Sequence, residues 1–246
     1  MSILVTGGTK GVGLAIARRF AKPGNRVFLN FQSDSVSAKN AREQIESLGA
    51  RCTLIQGDVG TPQGSRDVVS AVAAQVGQLD QLVHCAVRVV PAPILDIDLQ
   101  EFTDAINLNG TALVYLVQSA KSLLKRGSTV FFLSSRGSRQ PLPQYAALGA
   151  AKSLAESLVR YLVIELAPLG VRVNSVSPSA VDTEGLRRVY GAATKAVLEQ
   201  SAKDNPSGRN VEHDDYCSLI EYLASPAAAM IQGQVIFVNG GAYLSA

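Results

Sequence analysis

The stretch TGGTKGVG at residues 6–13 decides the predicted fold. It follows an apolar, β-rich run, ILV, and precedes a helical pattern. Gly7, Gly11 and Gly13 allow the backbone to approach a phosphate, and the start of the next helix offers free N–H groups and a positive dipole end. Three glycines alone are weak evidence, and the alternative is a simple tight turn. Their position between a strand and a helix predicts a dinucleotide-binding loop.

Short β-like runs alternate with helical patterns along the chain, which is typical of a parallel sheet covered by helices on both faces. The predicted strands lie near residues 3–6, 26–31, 51–56, 79–84, 128–134, 171–176 and 234–238. The predicted helices lie near residues 13–22, 36–48, 62–76, 100–125, 144–167 and 211–224. No change in composition marks a linker. We therefore predict one domain over residues 1–246, an α/β, doubly wound, Rossmann-like three-layer sandwich with a seven-stranded parallel sheet.

A long irregular segment lies at residues 178–210, between the sixth predicted strand and the last predicted helix. It begins PSAVDTEGL, ends DNPSGRN and holds a short amphipathic piece near residues 185–202. A connection of this length in a tight fold is usually functional and is often a lid over a site. The segment is therefore predicted to be a lid, and the alternative is a surface excursion without a role.

The composition is typical of a compact enzyme. Hydrophobic residues make up 47% of the chain and charged residues 17%, and the formal net charge of +3 is too small to indicate nucleic-acid binding. Cys52, Cys85 and Cys217 are scattered and form no CxxC pair, so we interpret them as buried thiols in a reducing compartment. With His84 and His213 as the only histidines, no metal site is expected.

Neither a targeting segment nor a membrane span is predicted. The apolar run begins directly after Met1 and Ser2, which leaves no room for the charged region of a signal peptide. No apolar stretch reaches the roughly 18 residues that a spanning helix needs. These observations predict a cytoplasmic protein without a membrane or nucleic-acid partner.

The spacing TGxxxGxG resembles the short-chain dehydrogenase/reductase superfamily, and the similarity covers nearly the whole chain. Asp58, in GDVG, matches the adenine-contacting aspartate of that superfamily, and Asn107, in INLNG, matches its active-site asparagine. PSAVDT at residues 178–183 resembles the PGxVxT segment that cradles the nicotinamide amide. The resemblance implies that the backbone of Val181 and the side chain of Thr183 make those contacts. IQGQVIFVNGG, near the C-terminus, resembles the last strand of the family.

Two segments depart from the family pattern. The sequence NNAG after strand four appears here as HCAV, residues 84–87, and the PG of PGxVxT appears as PS. In the family, the first of these segments packs under the adenosine and lends backbone contacts, so its altered sequence is expected to be tolerated. His84 is interpreted as a packed core residue rather than a catalytic one.

The predicted cofactor is NADPH, with NADH less favoured. An acid at the end of strand two would accept the ribose hydroxyls of NAD, but Asn30 occupies the expected position. Lys10 lies where phosphate-preferring members carry a basic residue and can neutralise a 2′-phosphate, and Asp34 is expected to oppose this only weakly. The resemblance implies a cofactor site made of Gly7, Thr9, Lys10, Gly11, Val12, Gly13, Asn30, Asp58, Val59, Ala86, Lys152, Val181 and Thr183.

The stretch YAALGAAK at residues 145–152 carries the candidate catalytic pair, Tyr145 and Lys152. Seven positions at about 100° each turn through roughly 700°, about 20° short of two full turns. Both side chains are therefore expected on one face of a helix, with Leu148 between them. Because Tyr145 follows PLPQ at the predicted helix start, the backbone there can depart from the helix and swing the phenol inward.

The position of this tyrosine is itself a family mark. Ordinary members of the superfamily carry the tyrosine four residues before the lysine, where this chain has Leu148, while Ser135 keeps its usual separation from Lys152. The Tyr-x6-Lys spacing resembles the enoyl-acyl-carrier-protein reductases, and residues 134–166 are most similar to their NADPH-using bacterial branch. Those enzymes carry a second active-site group ten residues before the tyrosine, which here is Ser135.

The resemblance implies a role for each residue of the site. An enoyl thioester receives hydride at its β-carbon while negative charge gathers on the thioester oxygen, so a displaced Tyr145 hydroxyl is expected to stabilise an enolate. Lys152 is expected to hold the nicotinamide ribose hydroxyls and to make Tyr145 more acidic through its charge. Ser135 is expected to bind the substrate or order water, and Asn107 to support the water or the backbone behind the lysine.

Other functions stay open from the sequence. The chain can be a ketoreductase, a quinone reductase or another carbonyl reductase of the same fold, because spacing constrains geometry and not substrate. It can also be a non-catalytic NADPH-binding sensor or scaffold. In the simplest alternative, Tyr145 is a surface aromatic residue and Lys152 an ordinary solvated lysine.

The expected partners are an acyl thioester substrate, carried by an acyl carrier protein or coenzyme A, and further copies of the chain. A carrier protein is acidic, so cations near the site would favour its association. The candidate cations are Arg136, Arg139, Arg187 and Arg188, and acids in the lid segment weaken this signal. Resemblance implies a homotetramer built on the helices near 100–125 and 144–167. Small residues in the second helix permit close packing between subunits or inside one.

Overall fold

One parallel sheet organises the computed structural model, which describes residues 1–242 and 244. Its strands are β1 (Ser2–Thr6), β2 (Arg26–Phe31), β3 (Arg51–Gln56), β4 (Gln81–His84), β5 (Thr129–Leu133), β6 (Arg172–Pro178) and β7 (Val235–Val238). They pair in parallel in the order β3-β2-β1-β4-β5-β6-β7, with Leu4 opposite Phe28 on one side and Leu82 on the other. The predicted seven-stranded parallel sheet of a doubly wound fold is confirmed.

Helices connect the strands and cover both faces of the sheet. They are α1 (Gly11–Arg19), α2 (Ser35–Ser47), α3 (Pro62–Ala73), α4 (Leu99–Ile106), α5 (Ala112–Ala120), α6 (Ala146–Leu166), α7 (Glu184–Tyr190), α8 (Thr194–Asp204) and α9 (His213–Ala224). Within the described residues, none of these helices is long and apolar enough to cross a membrane.

Each face of the sheet carries its own apolar core. In β1, Leu4 belongs to the core formed with α3, α5 and α6, whereas Ile3 and Val5 belong to the core formed with α1, α2 and α9. Successive side chains of a strand point to opposite faces, and a sheet buried on both faces needs apolar residues at nearly every position. The uninterrupted apolar run at the start of the chain therefore encodes a central strand.

The helix predicted over residues 100–125 is wrong as a single element, because a π-helical turn at Asn107–Thr111 separates α4 from α5. The Ala112 N–H bonds to the Asn107 carbonyl, five residues back, and the Thr111 hydroxyl donates to the same carbonyl at 3.0 Å. This turn packs against α6, where a Cβ added to Gly110 would lie 2.9 Å from the Ala151 carbonyl oxygen. The bulge and the glycine together let two buried helices approach closely.

The predicted lid segment contains two helices rather than one short piece. Helices α7 and α8 are joined by a 3-10 turn at Gly191–Ala193. Thr183 caps α7, since the Leu186 N–H donates to its hydroxyl at 3.2 Å. The segment therefore leaves β6 with an ordered start and lies over the carboxyl end of the sheet.

Candidate active site

The candidate site is a cavity of about 730 Å³ at the carboxyl edge of the sheet. It lies where the strand order reverses between β1 and β4, the position at which doubly wound sheets bind ligands. All the residues predicted to bind a cofactor line it: Gly7, Thr9, Lys10, Gly11, Val12, Gly13, Asn30, Asp58, Val59, Ala86, Lys152, Val181 and Thr183. Ser135 and Tyr145 line it as well. One cavity thus collects residues from seven separate chain segments.

The glycine loop has the shape that a dinucleotide pyrophosphate needs. Gly7 and Gly11 have φ angles of +59° and +48°, which side-chain-bearing residues rarely adopt. A Cβ on Gly13 would lie 2.4 Å from the Gly7 carbonyl oxygen, so only glycine lets α1 begin this close to β1. Helix α1 starts with no side-chain cap and no acid in its first turn. The loop therefore fits an anionic ligand at the helix N-terminus.

Lys10 belongs to a three-charge cluster that lines the cavity with Asp34 and Glu184. Its Nζ lies 2.5 Å from an Asp34 carboxylate oxygen and 3.0 Å from one of Glu184. The paired carboxylates raise the pKa of Lys10, while hydrogen bonds from Lys10 and Ser37 lower the pKa of Asp34. The expectation that Asp34 opposes Lys10 only weakly is wrong, because Asp34 at the start of α2 contacts Lys10 directly.

Asn30 lines the cavity and also bonds to the backbone at the end of β3. Its buried side-chain amide donates to the Ile55 carbonyl at 3.2 Å and the Gly57 carbonyl at 3.0 Å. These bonds hold the end of β3 beside β2, and Phe31, the next residue, also lines the cavity. The end of β2 therefore presents no carboxylate before Asp34.

The remaining cofactor candidates lie at the strand ends. The Asp58 carboxylate accepts the Gly60 N–H at 2.9 Å and is exposed, while Val59 is buried beneath it. The Ala86 N–H donates to the Thr6 hydroxyl at 3.3 Å. A Cβ on Gly7 would lie 2.7 Å from the Ala86 Cα, so the HCAV segment packs directly against the glycine loop.

His84 is fully buried, in agreement with its interpretation as a packed core residue. The Thr6 hydroxyl accepts two backbone N–H groups, so its own proton points to His84 Nδ1 at 2.8 Å. Nε2–H then donates to the Leu108 carbonyl at 2.9 Å. Burial lowers the pKa of His84 to about 3, so the ring is neutral at physiological pH. It links the glycine loop to the π-helical turn.

Three of the four predicted catalytic residues lie together. The Tyr145 hydroxyl donates to Ser135 Oγ at 3.3 Å, and the buried Lys152 donates through Nζ to the Leu133 carbonyl at 2.7 Å. Leu148 lines the cavity at the position between Tyr145 and Lys152. Asn107 does not line the cavity; its side-chain oxygen accepts the Thr111 hydroxyl at 3.2 Å within the π-helical turn.

The backbone before α6 brings the phenol inward, as the sequence predicted. Tyr145 is the residue before the first turn of α6, with φ −120° and ψ 6°, and Gln144 has a φ of +57°. Its ring lies against Gly137, where an added Cβ would meet two ring carbons at 2.5 Å. A strained non-glycine residue thus precedes the tyrosine in sequence and sets its approach.

Two pKa values define the electrostatics of the site. Burial raises the pKa of the Tyr145 phenol, although the Ser135 hydrogen bond and Arg136 oppose the shift. The expected acidifying effect of Lys152 on Tyr145 is not found, because the groups that shift this pKa are the apolar surroundings, Ser135, Tyr190 and Arg136. Burial likewise lowers the pKa of Lys152 to about 8.

Several cavity residues were not found by sequence reasoning. Cys85 and Tyr190 line the cavity, as does an apolar group made of Leu142, Pro143, Leu186, Val189 and Val197. The apolar spacing of the lid was the signal that indicated part of this group. Leu142 and Pro143, in PLPQ before Tyr145, belong to no periodic apolar pattern that would have predicted their place in the cavity.

A substitution at Gln144 tests the strain in the turn. Gln144→Val is expected to lower the free energy of unfolding by about 1–2 kcal/mol, because a β-branched residue resists a positive φ. Gln144→Gly is expected to stay within about 0.5 kcal/mol of wild type, since relief of strain offsets the greater entropy of the unfolded chain. Urea unfolding measures both. Equal stability of the two variants would contradict a left-handed residue 144.

Comparison with known proteins identifies the class defined by this fold and site as the short-chain dehydrogenase/reductases. A sequence model described as enoyl-(acyl carrier protein) reductase matches residues 7–243, and the chain belongs to that family of oxidoreductases. It is 29% identical to 1-cyclohexenylcarbonyl-CoA reductase of Streptomyces collinus over 97% of this chain and 85% of that protein. It is also 29% identical to mouse peroxisomal 2,4-dienoyl-CoA reductase over 98% of this chain and 83% of that protein.

A solved structure supports the same assignment. A short-chain dehydrogenase from Burkholderia cenocepacia J2315, crystallised in complex with NADP, superposes with a TM-score of 0.87 at 29% sequence identity. The alignment covers 98% of this chain and 96% of that chain. The superfamily resemblance drawn from the sequence is confirmed.

Proposed function

We propose that this protein is an NADPH-dependent reductase of the carbon–carbon double bond in enoyl thioesters. The observation that carries the proposal is the placement of the Tyr145 hydroxyl, 3.3 Å from Ser135 Oγ and in the cavity that holds Lys152, with a leucine at the ordinary tyrosine position. Membership in the enoyl-(acyl carrier protein) reductase family supports it. So do two relatives whose names describe CoA-linked double-bond reductases.

NADPH fits the residues at the edge of the sheet. The glycine loop and the start of α1 would hold the pyrophosphate, Asp58 and Val59 the adenine, and Val181 and Thr183 the nicotinamide amide. Lys10 would meet the 2′-phosphate in exchange for one of its two carboxylate partners. The NADP in the similar Burkholderia structure supports this choice of cofactor.

When bound, NADPH would supply the hydride that an enoyl thioester accepts at its β-carbon, and a proton taken from solvent at the α-carbon would convert the enolate into the saturated thioester. Tyr145 donates a hydrogen bond to the thioester oxygen, where negative charge develops in the transition state. Its raised pKa keeps the phenol protonated, so it acts as a neutral donor rather than as a phenolate. Ser135 Oγ, held beside it, aligns the hydroxyl and can donate a second hydrogen bond to the same oxygen.

Lys152 and Asn107 act behind this pair. The Lys152 ammonium is fixed by the Leu133 carbonyl and the face of Phe132, 4.5 Å from the ring centroid, and would hold ribose hydroxyls of the cofactor. Asn107 does not contact the cavity, so it is proposed to fix the π-helical turn that packs on α6. The apolar residues of the lid exclude water and favour an acyl chain.

A ketoreductase is the second candidate, and the hydroxyl pair itself favours it. Ser135 and Tyr145 could polarise a ketone as readily as a thioester carbonyl, since both hydroxyls converge on one point of the cavity. The two reactions differ in the carbon that receives hydride. In a ketone it is the carbon bonded to the polarised oxygen, and in an enoyl thioester it is the β-carbon. In the third candidate, an NADPH-binding sensor, the same residues bind cofactor without turnover.

The test of the proposal is NADPH consumption by the purified protein with crotonyl thioester, followed by absorbance. Consumption that depends on the double bond, with butyryl thioester as product, supports enoyl reduction. Turnover of acetoacetyl thioester without turnover of crotonyl thioester would replace the proposal with ketoreduction. If the protein binds NADPH tightly but reduces neither thioester, the result would favour the NADPH-binding sensor.

The ionisation of Lys152 predicts a pH dependence. The value of kcat/KM is expected to fall as the pH rises through about 8, because the lysine loses its proton there. Tyr145, whose pKa is raised above the ordinary 10.0, stays protonated across this range. In Lys152→Arg the alkaline decline should disappear while the overall rate is lower. An unchanged decline in that variant would assign the titration to another group.

The charge cluster predicts a change in cofactor selection. Asp34→Asn is expected to tighten NADPH binding about fivefold, because it removes one of the two carboxylates that pair with Lys10 and a charge that repels the 2′-phosphate. Asparagine still caps α2. Calorimetric titration of NADPH and NADH measures the effect, and Lys10→Met should reverse it. Equal tightening of both cofactors would contradict a 2′-phosphate site at Lys10.

We also propose that the substrate rides on an acyl carrier protein or coenzyme A and that the protein is a cytoplasmic homotetramer. The exposed Tyr161 and Ile164 on α6, at 65% and 74% exposure, support an intersubunit role for this helix. The small residues Ala147, Gly149 and Ala151 pack inside the subunit instead. Gly149 meets the 136–138 turn, where an added Cβ would lie 2.6 Å from the Gly137 carbonyl oxygen.

Arg187 and Arg188 pair with lid carboxylates, so they add little to a basic docking surface for a carrier protein.

A further inference from the structure

A buried carboxylate lies directly behind the proposed catalytic serine. Glu156, on α6, is 5% exposed and lies one turn after Lys152. A buried carboxylate is costly unless hydrogen bonds or a cation satisfy it. The partners of Glu156 must therefore satisfy its buried carboxylate. Neither the proposed chemistry nor the proposed cofactor site includes Glu156.

Its partners belong to the turn that carries Ser135. One oxygen of Glu156 accepts the hydroxyls of Ser134 at 2.5 Å and of Ser138 at 2.7 Å. Ser134 directly precedes Ser135, and Ser138 is the last residue of the 3-10 turn at Arg136–Ser138 that follows it. One carboxylate oxygen thus joins the start and the end of the turn.

The hydrogen bond from Ser134 to Glu156 and the extended backbone of Ser135 together set the direction of the Ser135 side chain. Ser135 is extended, with φ −152° and ψ 161°, and adjacent side chains of extended backbone point in opposite directions. With the Ser134 hydroxyl bonded to Glu156, the Ser135 hydroxyl is directed to the other side, where Tyr145 donates to it at 3.3 Å.

Arg139 and the close packing around Gly137 also hold the turn that carries Ser135. Arg139 lies 3.6 Å from the second oxygen of Glu156, and its guanidinium stacks over the Phe237 ring at 4.9 Å from the centroid. On the same turn, Gly137 lies against the Tyr145 ring and Gly149 of α6. The turn, α6 and β7 are therefore held as one unit around the carboxylate.

We propose that Glu156 is a positioning residue for the reductase: by binding Ser134 and Ser138 it fixes the turn that aims Ser135 at Tyr145. The inference rests on the proposed function, because Ser135 and Tyr145 are its catalytic groups. Glu156 touches neither substrate nor cofactor and acts through Ser135.

The test combines hydrogen exchange with kinetics. In cofactor-free Glu156→Ala, the amides of residues 138–140, which bond to Ser135 and Arg136 carbonyls, are expected to exchange at least tenfold faster than in wild type. The kcat is expected to fall about tenfold with the KM for NADPH within about twofold, since a displaced hydroxyl weakens the transition state more than cofactor binding. Glu156→Gln, which keeps one acceptor oxygen, should recover part of both losses. Glu165→Ala, exposed on the same helix, is the control and should match wild type.

A double-mutant cycle separates positioning from general support of the fold. Once Ser135→Ala has removed the aimed hydroxyl, adding Glu156→Gln should cost less than twofold in kcat. Independent, multiplicative losses would overturn the inference, and so would unchanged exchange at 138–140 in Glu156→Ala. If wild-type protein reduces no acceptor, the proposed function fails and the exchange data decide alone whether Glu156 holds the turn.

Discussion

Tyr145→Phe is expected to lower kcat for crotonyl thioester by about 10²–10³-fold, the usual loss when one donor to a developing oxyanion is removed. The phenylalanine ring keeps the contact with Gly137, so the start of α6 should not move. The hydroxyl hydrogen-bonds Ser135 and is not among the groups proposed to hold NADPH. The affinity for NADPH should therefore change less than about twofold. Steady-state kinetics and NADPH titration measure the two quantities.

The control for this substitution is Tyr222→Phe, because Tyr222 is an exposed tyrosine on α9, away from the cavity and from the proposed subunit contact. It is expected to behave as wild type in both measurements. Retention of more than half the wild-type kcat in Tyr145→Phe would remove Tyr145 from the mechanism. Loss of NADPH binding in that variant would show a structural rather than a catalytic role for the hydroxyl.

Lys152→Met is expected to abolish turnover and yet make the cofactor-free protein more stable. Burial lowers the pKa of Lys152 from 10.5 to about 8, and each pKa unit corresponds to about 1.4 kcal/mol. The buried charge therefore costs the folded state on the order of 3–4 kcal/mol at pH 7, less the bond to the Leu133 carbonyl. Methionine fills a similar volume without this cost, so a gain of about 1–2 kcal/mol is expected.

The sign of this effect also fixes its pH dependence. Below about pH 8 the lysine is protonated in both folded and unfolded chains, so the full cost is present. Between about pH 8 and 10.5 the unfolded chain binds the proton that the folded chain has released, and wild-type stability rises with pH. The gain from Lys152→Met should therefore shrink across that window.

Denaturant unfolding at pH 7 and above pH 10 checks both statements about Lys152. Lys121→Met, at an exposed lysine, is the control and should change stability by less than about 0.5 kcal/mol. A Lys152→Met variant that is less stable than wild type at pH 7 would contradict the account, because it would make the buried ammonium a net stabilising group.

The sequence predicts the fold well because its signals are local and repeated. The apolar run before TGGTKGVG encodes a central strand, and the three glycines meet steric demands that no other residue satisfies. The same strand-to-helix pattern recurs along the chain, so the parallel order follows from right-handed crossovers. The π-helical turn at Asn107–Thr111 escaped this pattern, since an extra residue in a helix leaves the apolar period nearly unchanged, and so did the break between α7 and α8.

The site was predictable in its residues but not in its side-chain contacts. Spacing and family resemblance named Tyr145, Lys152 and Ser135, and the structure adds the hydrogen bond between Tyr145 and Ser135. The pairing of Lys10 with Asp34 and Glu184 joins residues far apart in the chain, for which a single sequence carries no signal. The raised pKa of Tyr145 depends on burial, which residue type alone does not determine.

The most direct measurement is a competition in which purified protein, NADPH and equal amounts of crotonyl and acetoacetyl thioesters react in one vessel. Separation of the products gives the ratio of kcat/KM values. The account predicts butyryl thioester in at least about tenfold excess over 3-hydroxybutyryl thioester, because the hydroxyl of Tyr145 serves an oxygen remote from the carbon that is reduced. An excess of 3-hydroxybutyryl thioester would contradict it and would make this protein a ketoreductase with a displaced tyrosine.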